Sequence, residues 1–175
     1  MTTTTSTARH ARVDSALGEL TLVADGDALT GVYFERHWYP PEENAIGPLV
    51  DAAADPLFAE AAAQLTDYLA GERTAFTVPV ATHGDPFQER VWALLRDIPY
   101  GTTTTYGDLA EQLGGRSLAQ VVGRAVGRNP LSIVIACHRV VGKDGGLTGY
   151  AGGLERKRRL LDLEQPSPAE AGRLF

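Results

Sequence analysis

The sequence predicts an α+β protein in two parts. The first is an antiparallel sheet with one helix; the second is mostly helical, with a helix-turn-helix and the only cysteine, Cys137. Three observations carry this. Between Ala11 and Phe34, short apolar runs are broken by Gly18 and by Asp25-Gly26-Asp27, the pattern of a meander. From Asp85 to Gly127, apolar residues recur at helical spacing between caps and glycine stops. Finally, 43% of the 175 residues are hydrophobic and 22% charged, which suits a packed core over disorder. The expected boundaries are a disordered tail at 1–8, an N-terminal domain at 9–82, a C-terminal domain at 85–165 and a tail at 166–175.

Met1–Ala8 is Thr-rich and reads as frayed. Gly18 splits a strand over Arg12–Leu17 from one over Glu19–Ala24, and Leu29–Phe34 is the third. Residues 39–48 hold three prolines and form a loop. Asp55 suits an N-cap and Pro56 the first helical position. Leu57, Ala61, Leu65, Tyr68 and Leu69 then share one face, and Gly71 stops the helix. Thr74–Ala81 alternates like a further strand, and Thr82–Gly84 is a linker.

Asp85 caps the next helix, opened by Pro86, with Gln88 at the capping-box position. Phe87, Val91, Leu94, Leu95 and Ile98 lie on one face, and Pro99-Tyr100-Gly101 ends it. Thr105–Leu113 is a short helix stopped by Gly114-Gly115. Ser117 opens another, with Gln120 three residues on, running to about Gly127. Two short helices around a glycine turn make a helix-turn-helix pattern, one that ordinary helix pairs share. Leu131–Ala136 reads as a buried strand or extended segment. Six glycines between Gly142 and Gly153 mark a loop, and Leu154–Leu163 is a helix carrying the basic run Arg156–Arg159.

Composition excludes some classes. No apolar run approaches the roughly 18 residues that span a bilayer, so no membrane partner is expected. The N-terminus lacks an apolar signal core, which argues against secretion and for the cytoplasm. One cysteine allows neither an intramolecular disulfide nor a cysteine zinc cluster. The net charge of −6 is uneven: residues 1–100 carry six Arg against fifteen Asp/Glu, and residues 101–165 carry nine Lys/Arg against six Asp/Glu. A basic second half is a hint of nucleic-acid contact, though such an excess also arises on ordinary solvated surfaces.

Cys137 follows an apolar segment, precedes His138 and opens the Gly-rich loop. A thiol reacts as its thiolate and needs a base or positive surroundings. Adjacent side chains of an extended chain point to opposite faces, so a direct Cys137–His138 bond needs a turn or a bridging water. These residues alone leave a reactive and an inert cysteine equally open.

The order of residues says more. Val134-Ile-Ala-Cys-His-Arg-Val-Val141 resembles the active-site signature of the O6-alkylguanine-DNA alkyltransferases, Pro-Cys-His-Arg-Val or Ile. Phe87-Gln-Glu-Arg-Val-Trp92, Ile98-Pro-Tyr-Gly101, Thr105-Tyr106, Val122-Gly123, Asn129-Pro130, Gly149-Tyr-Ala-Gly-Gly-Leu154 and Leu160-Leu-Asp-Leu-Glu164 follow the family's order and spacing. The resemblance covers about residues 85–164 strongly, and 11–81 in general pattern.

The resemblance implies an irreversible, single-turnover transfer of an alkyl group from O6-alkylguanine in double-stranded DNA to Cys137. His138 is then the base through a water, Glu164 orients it, and Asn129 braces the turn before the cysteine. Tyr106 helps flip the nucleotide and hydrogen-bonds guanine N3. The Cys137 and Val140 carbonyls and the Ala151 N–H meet the base, while Tyr150 and Gly152 line the loop. Ala119, Gln120, Val121, Gly123 and Arg124 form the DNA face with Tyr106. No cofactor, no metal and no obligatory protein partner are implied, and the family suggests a monomer.

Two departures stand out. Ala136 replaces the usual proline before the cysteine, which loosens its backbone. Gln120 stands where the family has an arginine finger that fills the space left by the flipped base; alternatively it is a capping-box partner of Ser117. These keep two other functions open: a protein that binds alkylated DNA with weak or no transfer, and a thiol acceptor for small alkylated molecules.

Overall fold

Three strands open the chain in the computed structural model, which describes residues 7–37, 40–41, 45–147 and 149–165. Strands β1 (Ala8–Val13), β2 (Leu20–Asp25) and β3 (Ala28–Phe34) form an antiparallel sheet in the order β1-β2-β3. Leu20, Leu22, Leu29 and Val32 are fully buried. Gly26 opens the two-residue β2–β3 turn at φ 60°, a conformation side chains resist.

The first strand lies earlier than the alternation suggests. Ala8 belongs to β1, not to a tail, and of the strand expected over Arg12–Leu17 only Arg12 and Val13 are in β1. His10 holds β1 in place from the far side: its N–H donates to Pro48 O at 3.0 Å, and its carbonyl accepts from Val50 N–H at 2.8 Å. Ser15 closes a turn instead, its carbonyl accepting from Gly18 N–H at 3.0 Å. Residues 1–6 of the expected N-terminal tail, the tail expected at 166–175 and part of the loop at 39–48 lie outside the described residues.

Helix α1 (Pro56–Leu69) is capped by the Asp55 carboxylate, which accepts from Leu57 and Phe58 N–H. It ends in paired Gly71 N–H→Tyr68 O and Glu72 N–H→Asp67 O bonds, with Gly71 at φ 80°. Its buried face is Phe58, Ala61, Gln64, Leu65 and Tyr68, rotated slightly from the expected stripe. Thr74–Ala81 does not form the expected strand; its one bridge joins Val80 to Leu29. Pro79 has no N–H to give, and the Thr77 N–H is taken by Gln64 Oε1 at 2.9 Å.

The chain forms two compact units, Met1–Thr82 and His83–Phe175. In the second, α2 (Pro86–Arg96) starts at a complete Asp85–Gln88 capping box. Strand β4 (Thr104–Thr105) leads into α3 (Tyr106–Leu113), whose cap is the Thr105 side chain on Asp108 N–H. Gly114 and Gly115, both at positive φ, turn the chain into α4 (Ala119–Gly127). Trp92 Nε1–H on Ala125 O, 2.8 Å, ties α2 to α4. Strand β5 (Val140–Val141) pairs with β4 in parallel, and α5 (Leu154–Glu164) closes the unit. No described helix is long and apolar enough to cross a membrane.

Ser117 does not cap α4. A 3-10 turn spans Arg116–Leu118, and neither it nor α4 has a side-chain cap. The capping-box reading of Gln120 falls with it.

Candidate active site

The apolar run before Cys137 is a knot of turns, not a strand. Val134 N–H reaches back to Ser132 O at 2.8 Å, placing Ile133 at φ 72°. A β-branched residue there costs on the order of 1–3 kcal/mol and persists only where its surroundings enforce it. Asn129 does the enforcing from a fully buried position. Its Oδ1 accepts from Leu131 N–H at 3.0 Å, and its Nδ2 donates to Ile135 O at 2.8 Å. Cys137 N–H then bonds Ile135 O at 2.8 Å, with Ala136 at φ −78° and ψ 60°. That φ is within the range a proline imposes, so the turn has the backbone shape that the family's proline would take.

Cys137, His138 and Arg139 form one 3-10 turn, all buried. The chain is therefore not extended at the Cys-His pair, and the alternation argument against their cooperation does not apply. His138 Nε2 lies 2.7 Å from Glu164 Oε2, and both side chains are fully sealed from solvent. His138 Nδ1, also buried, bonds no protein atom. With a proton on Nε2 for the carboxylate, Nδ1 is the lone-pair side of the ring.

Glu164 has a second partner. Arg139 Nε donates to Oε1 at 2.7 Å and Nη2 to Oε2 at 3.0 Å, while Nη1 donates to Ile98 O at 2.6 Å. Its guanidinium also stands 5.5 Å from the Tyr100 ring centroid. Lys157, fully buried, donates from Nζ to Val140 O at 2.6 Å and Gly149 O at 3.4 Å. It sits 5.9 Å from the Tyr106 ring centroid. Lys157 and Arg139 are the residues that motif reading missed. One signal was available: Lys157, Leu160 and Glu164 share one face of α5, two ionisable residues on an apolar stripe.

Burial pushes the Cys137 thiol up, against the hydrogen bonds of Asn129 and Tyr150 and the charge of Lys157, which pull it down. The resting sulfur is therefore a thiol that needs a base. Burial, with Arg139 and Lys157 nearby, pushes His138 down to about 3, so its resting imidazole is neutral. Burial also pushes the Glu164 carboxyl up; the two-pronged Arg139 contact opposes that cost. Among the described residues, no group of three His, Cys, Asp or Glu side chains is placed to hold a metal ion.

Two family models match the chain: the 6-O-methylguanine DNA methyltransferase ribonuclease-like domain over residues 8–82, and its DNA-binding domain over residues 86–166. The chain belongs to the 6-O-methylguanine DNA methyltransferase family. It is 44% identical to the methylated-DNA–protein-cysteine methyltransferase of Mycobacterium tuberculosis over 90% of this chain and 93% of that one. It is 38% identical to the constitutive enzyme of that name in Bacillus subtilis, over 92% and 98%. The crystal structure of Mycobacterium tuberculosis OGT in complex with DNA is similar at a TM-score of 0.81 and 44% identity, over 89% of this chain and 92% of that one.

The remaining family positions fall in two groups. Tyr150, Ala151 and Gly152 are buried on the loop between β5 and α5, and Val140 is fully buried beside Cys137. The Val140 carbonyl already accepts from Lys157, which leaves it one lone pair. Gln120, Val121 and Arg124 are exposed together on α4, with Ala119 and Gly123 partly so. Tyr106 heads α3 beside them: a Cβ on Gly123 would lie 3.8 Å from its ring.

Proposed function

We propose that this chain repairs O6-alkylguanine in DNA by moving the alkyl group irreversibly to Cys137 Sγ, one lesion per molecule. The carrying observation is the buried Cys137–His138–Glu164 set: a thiol in need of a base, one residue from an imidazole whose far nitrogen is held by a carboxylate. The thiol proton passes through a water to His138 Nδ1. Sulfur attacks the alkyl carbon in line, the S–C bond forms as the C–O6 bond breaks, and the bond's electrons leave on guanine. Guanine takes up the proton, through solvent, at N1. Asn129 acts through the turn it holds, and the Tyr106 hydroxyl donates to guanine N3 as charge develops there. The Cys137 and Val140 carbonyls accept from the guanine amine, and Ala151 N–H donates to O6.

Cys137 is 4% exposed, so a base stacked in a duplex is out of its reach. Gln120, Val121 and Arg124 meet the duplex while the lesion turns out of the stack, past Tyr106, toward Cys137. The thioether is a poor leaving group, and the chain has no second thiol to remove it. A thiol that must stay reduced to react and a DNA substrate support a cytoplasmic location.

Gln120 favours a second reading, binding of alkylated DNA with weak transfer. Intact mass separates the two. After incubation with duplex DNA containing O6-methylguanine, the protein gains one methyl group at Cys137. Binding without a mass gain supports the second reading, and a gain only with alkylated free guanine identifies a small-molecule acceptor.

A further inference from the structure

We propose that Arg139 is a positioning residue for the proton relay: its fixed charge keeps Glu164 ionised and His138 neutral, so that the base is free to take the thiol proton at neutral pH. The inference rests on the reading of Cys137, His138 and Glu164 as a relay.

The geometry is that of a clamp. Three of the guanidinium's donors are committed, two to the carboxylate and one to Ile98 O at 2.6 Å. Glu164 Oε2 thus receives both Arg139 Nη2 at 3.0 Å and His138 Nε2 at 2.7 Å. The Glu164 side chain is fully buried and that of Arg139 is 10% exposed. A carboxylate in that setting keeps its charge only with a full countercharge beside it. The carboxylate in turn dictates which imidazole nitrogen carries the proton. The other ionisable groups around the pair are Lys157 on α5, Cys137 on the same turn, and Tyr100 and Tyr150 from the flanking loops.

Counting protons gives the sign. With Arg139 present, Glu164 and neutral His138 make a cluster of zero net charge. Without its charge, the same pair is a buried anion and takes up a proton from solvent as the pH falls toward neutrality. The base is then occupied, and Cys137 becomes reactive only at higher pH. A residue that merely packs there leaves the proton count unchanged.

The test compares wild type, Arg139→Gln and Arg139→Lys by the pH dependence of Cys137 alkylation with iodoacetamide, read as intact mass. Cys137 is the only thiol, and no DNA is needed, so failure of the repair reading leaves this measurement intact. The acid limb is expected to move up by about 1–3 pH units in Arg139→Gln and to return toward wild type in Arg139→Lys. Equal profiles for the Gln and Lys variants overturn the proposal. A second measurement holds even where the variants fold poorly. In the wild type, the 15N resonances of His138 are expected to show a neutral ring protonated at Nε2 from pH 5 to 8, a range set by the ordinary histidine value. A His138 that titrates inside that range in the wild type also overturns it.

Discussion

Glu164 stands 26 residues after His138 in sequence, yet its Oε2 lies 2.7 Å from His138 Nε2 with both side chains fully buried. Together with the Arg139 bonds to the same carboxylate, this contact joins the end of α5 to the turn that carries Cys137. Glu164 sits at the C-terminal end of its helix, where the dipole disfavours a negative charge. The contact to His138 and Arg139 explains why a carboxylate is found there.

Cys137→Ser is expected to abolish alkyl transfer and keep the fold. A hydroxyl has no accessible anion at neutral pH, whereas a thiol does once a base takes its proton. The measurement is intact mass after incubation with alkylated duplex, alongside circular dichroism. Retained transfer in a folded Ser variant would remove Cys137 from the chemistry.

Glu164→Gln leaves the imidazolium without its counter-ion, so proton transfer from Cys137 becomes unfavourable. The single-turnover rate near pH 7 is expected to fall by about 10²-fold. Residual activity should rise only in the alkaline range, where the thiol ionises unaided. This differs from the Arg139→Gln profile, whose acid limb moves while its plateau stays. An unchanged pH–rate profile in both Glu164→Gln and His138→Gln would mean that no relay operates.

Most of the second unit's helical framework was legible because its signals are local. Asp85, Pro86 and Gln88 form the capping box their spacing announces, and Gly114-Gly115 makes the turn between α3 and α4. The errors arise where a distant partner decides. β1 begins at Ala8 because Pro48 and Val50 hold His10, and Leu131–Ala136 coils because Asn129 supplies side-chain bonds in place of a ladder. Motif order picked out Cys137, His138 and Glu164. It passed over Lys157 because a basic run reads as a solvated face until α5 is seen to turn that one residue inward.

Lys157 links stability to activity. Burial pushes its ammonium down from the ordinary 10.5 to about 8. The unfolded chain therefore holds the extra proton between those values, and raising the pH through that range favours the folded chain. At pH 7 the fold carries the cost of a buried charge. Lys157→Met keeps the bulk of the stem and is expected to gain on the order of 1–3 kcal/mol at pH 7. The gain should shrink above pH 8 and vanish near the ordinary lysine value. Transfer should slow roughly tenfold at pH 7, because the thiol loses the nearby cation that eases its ionisation. Urea unfolding of both proteins at several pH values, with single-turnover rates, tests this. A variant less stable at pH 7 would show that the Val140 and Gly149 contacts outweigh the buried charge.

Gln120 is exposed on α4 and caps no helix, so its side chain is available to the DNA. In the family's pattern an arginine at this position fills the stack vacated by the flipped base. A carboxamide keeps hydrogen-bonding capacity and loses the charge and the broad planar cation. Losing such a contact costs on the order of 1–3 kcal/mol, which is roughly a ten- to hundredfold smaller population of flipped guanine. The cost applies only where a stack must be opened. Gln120→Arg is therefore expected to speed repair of alkylated duplex DNA by about ten- to hundredfold and to change repair of the same lesion in single strands far less. Single-turnover rates of both proteins on both substrates decide it. Equal acceleration on the two would show that position 120 acts through general phosphate attraction, which a change in salt dependence would register. No acceleration on either would mean that Gln120 does not enter the duplex.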